Sequence, residues 1–173
     1  QYEHTLKKVR DLGLDNKITV LKKDYRELTG QFDKLVSIEM IEAVGHQYYH
    51  EFFRKCNSLL IPEGRMLLQS IIITDFLYEE AKQFSDFIKT YIFPGSCIPS
   101  ISKICESTAK ATDMRLFHLE DLTPHYAKTL NHWRRQFMKN QQKIRSLGFS
   151  KEFIRLWNFY FCYCEGGFIE RQI

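Results

Sequence analysis

No apolar run in this sequence is long enough to cross a bilayer: the longest, Met66 to Ile73, is broken by Gln69 and Ser70 and falls far short of about 20 residues. No CxxC pair occurs, and the six histidines lack metal-ligand spacing, so no metal site is expected. The five cysteines (Cys56, Cys97, Cys105, Cys162, Cys164) form an odd set without repeated spacing, as expected of reduced thiols in a cytosolic protein. Glycine and proline are scarce, at 8 and 4 of 173 residues, which excludes a fibrous or linker-like chain. Neither charge dominates: 25 Lys+Arg stand against 21 Asp+Glu, and the basic residues are scattered among the acidic ones. A net charge of +4 arranged in this way gives no footing for dedicated nucleic-acid binding. There is no start methionine and no basic-then-apolar leader, and the expectation is a piece from the middle of a longer protein.

What the sequence does have is aromatic mass: 14 Phe, 9 Tyr and 2 Trp. Such residues either fill a core, the commoner outcome, or line a wide apolar cavity. Tyr2, Leu6 and Val9 predict a first helix over residues 1–12, closed by Gly13. Ile18–Leu21 reads as a short strand, Phe32–Ile38 as a second and about Arg65–Ile73 as a third. Between the last two, Gly45-His46 opens a helix whose face is Tyr49, Phe52, Phe53 and Cys56, ended by a turn over Leu60–Gly64. The alternation predicts an α/β fold with parallel strands and ligands at their carboxyl ends. Beyond Thr74 it breaks. A helix over 76–91, a two-proline loop over 93–99, a helix over about 100–110 and a strand near Met114–Leu119 read as an insertion, about 75–111, covering the ligand edge. Tyr126, Leu130, Trp133, Phe137 and Ile144 mark a long helix, and Phe153 to Phe168 a last one after Gly148. No linker divides the chain, so residues 1–173 read as one domain.

Glu39 and Glu42 leave the second strand where an open sheet places its pocket; they are site carboxylates or solvated loop acids. Gln69 is a polar residue in an apolar strand and needs a hydrogen-bond partner, in a pocket or on the backbone. Tyr126 is a core tyrosine or a site residue, and Asp24 a turn residue or an acceptor for an adenine or ribose edge.

Four strings carry more. QFDKLVSIEMIEAVGH (31–46), YIFPGSCIPS (91–100), HYAKTLNHWRRQF (125–137) and GFSKEFIRLWNFYFCYCEGGF (148–168) resemble the cyclopropane fatty acid synthase family. The resemblance runs over essentially the whole chain. It implies the C-terminal part of a Rossmann-like, class I methyltransferase sheet with a helical acyl-binding insertion. It also implies an enzyme that uses S-adenosylmethionine to add a methylene across a cis double bond of an unsaturated phospholipid acyl chain. The aromatic residues then shield a carbocation from water. In the family a proton leaves to a bound bicarbonate, held by residues that match Glu42, Tyr126 and Gln69, with Ile71 two positions later. The family usually has His at the Gln69 position, and Gln can hold an anion only by hydrogen bonding. By the same matching, Gln1, Asp24 and Glu39 are the cofactor contacts.

The family's glycine-rich cofactor loop and its ribose-holding acid have no counterpart in this sequence and are expected upstream of Gln1, so the 173 residues alone are expected to be inactive. Peripheral contact with a membrane at its cytoplasmic face and a homodimer complete the expectations. The alternatives are a related methyltransferase with a soluble substrate and a non-catalytic lipid-binding fragment.

Overall fold

A computed structural model describes residues 1–173. The first helix, α1 (Tyr2–Asp11), ends as its sequence predicts. Gly13 takes φ +62°, and the Gly13 and Leu14 amides donate back to the Arg10 and Val9 carbonyls, a Schellman arrangement. Strand β1 (Phe32–Ile38) and strand β2 (Leu60–Gln69) pair in parallel, with Leu35 opposite Met66 and Ile38 opposite Gln69. Helix α2 (Tyr49–Ser58) joins them and buries the predicted face of Tyr49, Phe52, Phe53 and Cys56. With Ile41 these form one core cluster, each large side chain contributing about 1.5–3 kcal/mol by leaving water.

Several expected elements differ. Ile18–Leu21 and Met114–Leu119 form no strand, because no other strand lies beside them to supply the ladder; Leu21 is exposed and Phe117 is 94% exposed. The turn expected over Leu60–Gly64 is taken into β2 as an irregularity in its register against β1. Strand β2 stops at Gln69 instead of Ile73, because the next backbone donors leave the sheet. The Ile71 amide donates to the Glu42 side chain and the Ile73 amide to the Pro99 carbonyl. The helix expected over 76–91 is broken into α3 (Tyr78–Gln83) and a π-turn at Ile88–Ile92, whose start Asp86 caps through the Lys89 amide.

Helix α4 (Ile101–Ala111), capped by Ser100, packs on α2. Helix α5 (Thr123–Lys139) packs on α7 (Lys151–Ile169), which Ser150 caps. The stripe expected to run on to Ile144 is interrupted at Asn140, whose side-chain amide competes for the Gln136 carbonyl, and the short α6 (Gln141–Ser146) follows. Leu130, Phe161 and Phe168 make the second core cluster, with Tyr126, Tyr160 and Ile71 packed against it. Ile71, just past the end of β2, thus joins the sheet to the helix pair.

Candidate active site

The chain turns sharply as β1 ends. Glu39 adopts φ +50°, a left-handed conformation that costs a non-glycine residue about 1 kcal/mol or more. Its amide donates to the Gln69 carbonyl at 2.9 Å, so the ends of β1 and β2 remain tied while its side chain turns out of the sheet. The Tyr126 hydroxyl donates to Glu39 Oε2 at 2.9 Å and the Gln69 side-chain amide to Glu39 Oε1 at 3.1 Å. Residues 87 apart in sequence therefore meet on one carboxylate.

Glu42 lies one short turn later and is held separately. The Ile71 amide donates to its Oε1 at 2.6 Å and the Ser70 hydroxyl reaches the same oxygen at 3.1 Å. Its other oxygen is buried without a partner. Burial raises the Glu42 pKa, the bonds from Ile71 and Ser70 oppose this, and the Glu39 charge adds to it. The two-proline loop supports this turn from behind: the Cys97 amide donates to the Glu42 carbonyl at 2.8 Å, and the buried Tyr49 hydroxyl to the Cys97 carbonyl at 2.7 Å. Neither Glu39 nor Glu42 has an ion-pair partner in the chain.

Aromatic rings close one side. Tyr126 packs against Phe168 with centroids 4.6 Å apart and ring planes tilted by 33°, and Tyr160, whose phenol is pushed up chiefly by burial, lies edge-on to Trp157 and Phe93. Burial is the first cause that pushes the Tyr126 phenol up, followed by its bond to Glu39, so it remains a hydrogen-bond donor.

The fold thus unites Glu39, Glu42, Gln69, Ile71 and Tyr126, but with partners other than those expected. Tyr126 and Gln69, expected beside Glu42 around an anion, instead both donate to Glu39. Glu39, expected as a cofactor contact, turns its carboxylate toward them. Gln1 precedes α1 without a side-chain hydrogen bond. Asp24 caps a turn and pairs with Arg26 at 2.7 Å, which holds its carboxyl down at about 2. It also borders a hollow of about 470 Å³ with Tyr25, Met40, Val44 and Tyr48. Ser70 was visible in the sequence as a polar residue in an apolar strand, but its bond to Glu42 needs the crossing of two segments 28 residues apart.

The profile of the mycolic acid cyclopropane synthetase family matches residues 1–173. The chain belongs to that family. It is 35% identical over 161 residues to the tuberculostearic acid methyltransferase of Mycobacterium tuberculosis, covering 93% of this chain and 38% of that protein. It is 34% identical over 163 residues to the cyclopropane-fatty-acyl-phospholipid synthase of Escherichia coli, covering 93% of this chain and 40% of that one. Among solved structures, mycolic acid cyclopropane synthase CmaA1 complexed with SAH and CTAB superposes with a TM-score of 0.79 at 28% identity, over 96% of this chain and 61% of that one. The fold is therefore the α/β methyltransferase fold of the cyclopropane synthases, and the chain spans about two fifths of the length of the two curated relatives.

Proposed function

We propose that this chain is the acyl-facing part of an S-adenosylmethionine-dependent cyclopropane-fatty-acyl-phospholipid synthase. The observation that carries the reading is the pair of carboxylates, Glu39 and Glu42, at the carboxyl ends of two parallel strands, without protein cations and beside a wall of aromatic rings. Two unpaired carboxylates fit a cationic ligand, and a sulfonium is one. The apolar hollow with Asp24 on its rim fits an adenine ring. The bound cofactor supplies an electrophilic methyl group. Tyr126, Tyr160, Trp157 and Phe168 then offer π faces to positive charge that develops on the acyl chain and keep water from it.

Bicarbonate, which the family resemblance implies, fits these residues poorly. The side chains of Tyr126 and Gln69 are engaged by Glu39, and Ser70 and the Ile71 amide by Glu42. A third anion would face two carboxylates, and a like charge at 4 Å costs about 4 kcal/mol at an effective dielectric of 20.

The reading takes residues 75–111 as an insertion over the ligand edge, within one domain. Phe76 and Phe84, exposed at 82% and 66%, support contact with lipid there. It places the protein at the cytoplasmic membrane surface, with unsaturated phospholipid as substrate and a homodimer as the assembly. The test is incubation of the full-length protein with methyl-labelled S-adenosylmethionine and unsaturated phospholipid vesicles, followed by fatty-acid analysis. Label in a cyclopropane acyl chain is expected. Label only in a soluble acceptor, or none, overturns the reading.

A further inference from the structure

We propose that Glu39 itself is the proton acceptor of the reaction, its carboxylate standing where the family's resemblance implies a bound anion. The proposal rests on the lipid-methylating reading above. The geometry behind it is direct: the two side chains expected to hold an anion, Tyr126 and Gln69, both donate to Glu39, one to each oxygen, at 2.9 and 3.1 Å. An ionised carboxylate has about four acceptor positions, so two lone-pair directions remain for a substrate proton. Glu39 is exposed, and it keeps this open side while Glu42 is enclosed by Ser70 and the Ile71 amide. Its φ of +50° supplies a second, independent indication. A glycine would occupy that backbone conformation without penalty, and the site instead carries an acid there at a conformational cost. Gln69 also becomes intelligible. A side chain that only has to steady a carboxylate needs an N–H donor and no titrating nitrogen.

The step balances without an added base. As the alkene's π pair forms a bond to the incoming methyl carbon, the sulfonium's S–C bond breaks with its electrons left on sulfur, and the second alkene carbon becomes cationic. Glu39 removes a proton from the transferred methyl group. The freed C–H pair closes the ring onto the cationic carbon, and Glu39, now a neutral acid, later returns its proton to water.

The experiment compares the full-length protein with its Glu39→Gln and Glu39→Gly variants, in buffer stripped of carbon dioxide and in buffer with millimolar bicarbonate. The unsubstituted protein should turn over at the same rate in both buffers. Glu39→Gln should lose at least about a hundredfold in kcat, the scale of a lost general base, with no rescue. Glu39→Gly relieves the backbone and opens the space between Tyr126 and Gln69, so bicarbonate should restore at least tenfold of its lost rate. A second readout needs neither methyl donor nor lipid: binding of carbon-13-labelled bicarbonate followed by NMR. Glu39→Gly should bind it and the unsubstituted protein should not. Bicarbonate dependence or binding in the unsubstituted protein, near-normal turnover of Glu39→Gln, or no bicarbonate binding to Glu39→Gly would each overturn the proposal. If no protein form methylates lipid, the enzymatic reading fails and the base role with it. The NMR comparison still decides whether Glu39 fills an anion position.

Discussion

At the scale of single residues, the site spends burial and backbone strain on two carboxylates and treats them differently. Glu42 is the buried one, and its raised pKa has a consequence for stability. The folded state holds the Glu42 proton more tightly than the unfolded chain does, so in the window above the unfolded value of 4.5 the native state binds more protons and stability falls as pH rises. Glu42→Gln should remove this component. Urea midpoints measured from pH 4 to 8 should fall less with pH in the variant than in the parent; parallel curves would mean that Glu42 does not titrate in this environment. Ser70 bears on the same group. Ser70→Ala deletes one bond to Glu42 and should cost about 1 kcal/mol, read as a lower urea midpoint at neutral pH, where the carboxylate most needs that donor.

Secondary-structure elements set where those carboxylates lie, and β2 is the sensitive one. Its irregularity near Pro62–Gly64 lets Leu60 pair with Phe32 and Arg65 with Lys34 across unequal lengths of chain. Gly64 is required there: a Cβ would come within 2.9 Å of the Ile61 carbonyl oxygen and 3.1 Å of the Leu60 Cβ. Backbone cannot move aside as a flexible side chain can. Gly64→Ala should therefore destabilise the protein by about 1–3 kcal/mol, the range of an overpacked site, and shift the register that delivers Gln69 to Glu39. Thermal unfolding checks the first effect and lipid methylation by the full-length protein checks the second. At Gly95, with no atom within 4 Å of a Cβ, Ala meets only the strain of φ +82°, so its cost should be smaller.

In the whole molecule, two clusters hold the chain: one between α2 and the sheet, the other between α5 and α7. Only 19 of 173 residues are buried, while Val36, Leu67, Phe117 and Phe159 are each more than half exposed. Such a surface invites partners. Residues 1–173 produced alone should bind the dye ANS strongly and unfold over a broad urea range; a sharp transition without dye binding would show that this surface is tolerated. The same preparation should bind S-adenosylmethionine weakly, since the glycine-rich cofactor loop that the family resemblance implies does not occur in this sequence. Calorimetry giving a low-micromolar dissociation constant would overturn that expectation.

Periodicity was enough for the helices whose apolar face and caps are contiguous in sequence. Gly13 marks the end of one, and Tyr49, Phe52, Phe53 and Cys56 mark the buried side of another, because helix hydrogen bonds and caps are local. Strand β1 was read from its apolar run, and its pairing with β2 from the alternation of strands and helices. Strands at 18–21 and 114–119 could not be judged locally, since a strand exists only through a neighbour that periodicity does not reveal. The site divides along the same line. The grouping of Glu42, Gln69, Ile71 and Tyr126, with Glu39 assigned apart from them to the cofactor, was what the family resemblance implied. Which carboxylate receives the Tyr126 and Gln69 hydrogen bonds was decided only in three dimensions, where a left-handed turn at Glu39 brings donors from two distant segments onto one oxygen pair.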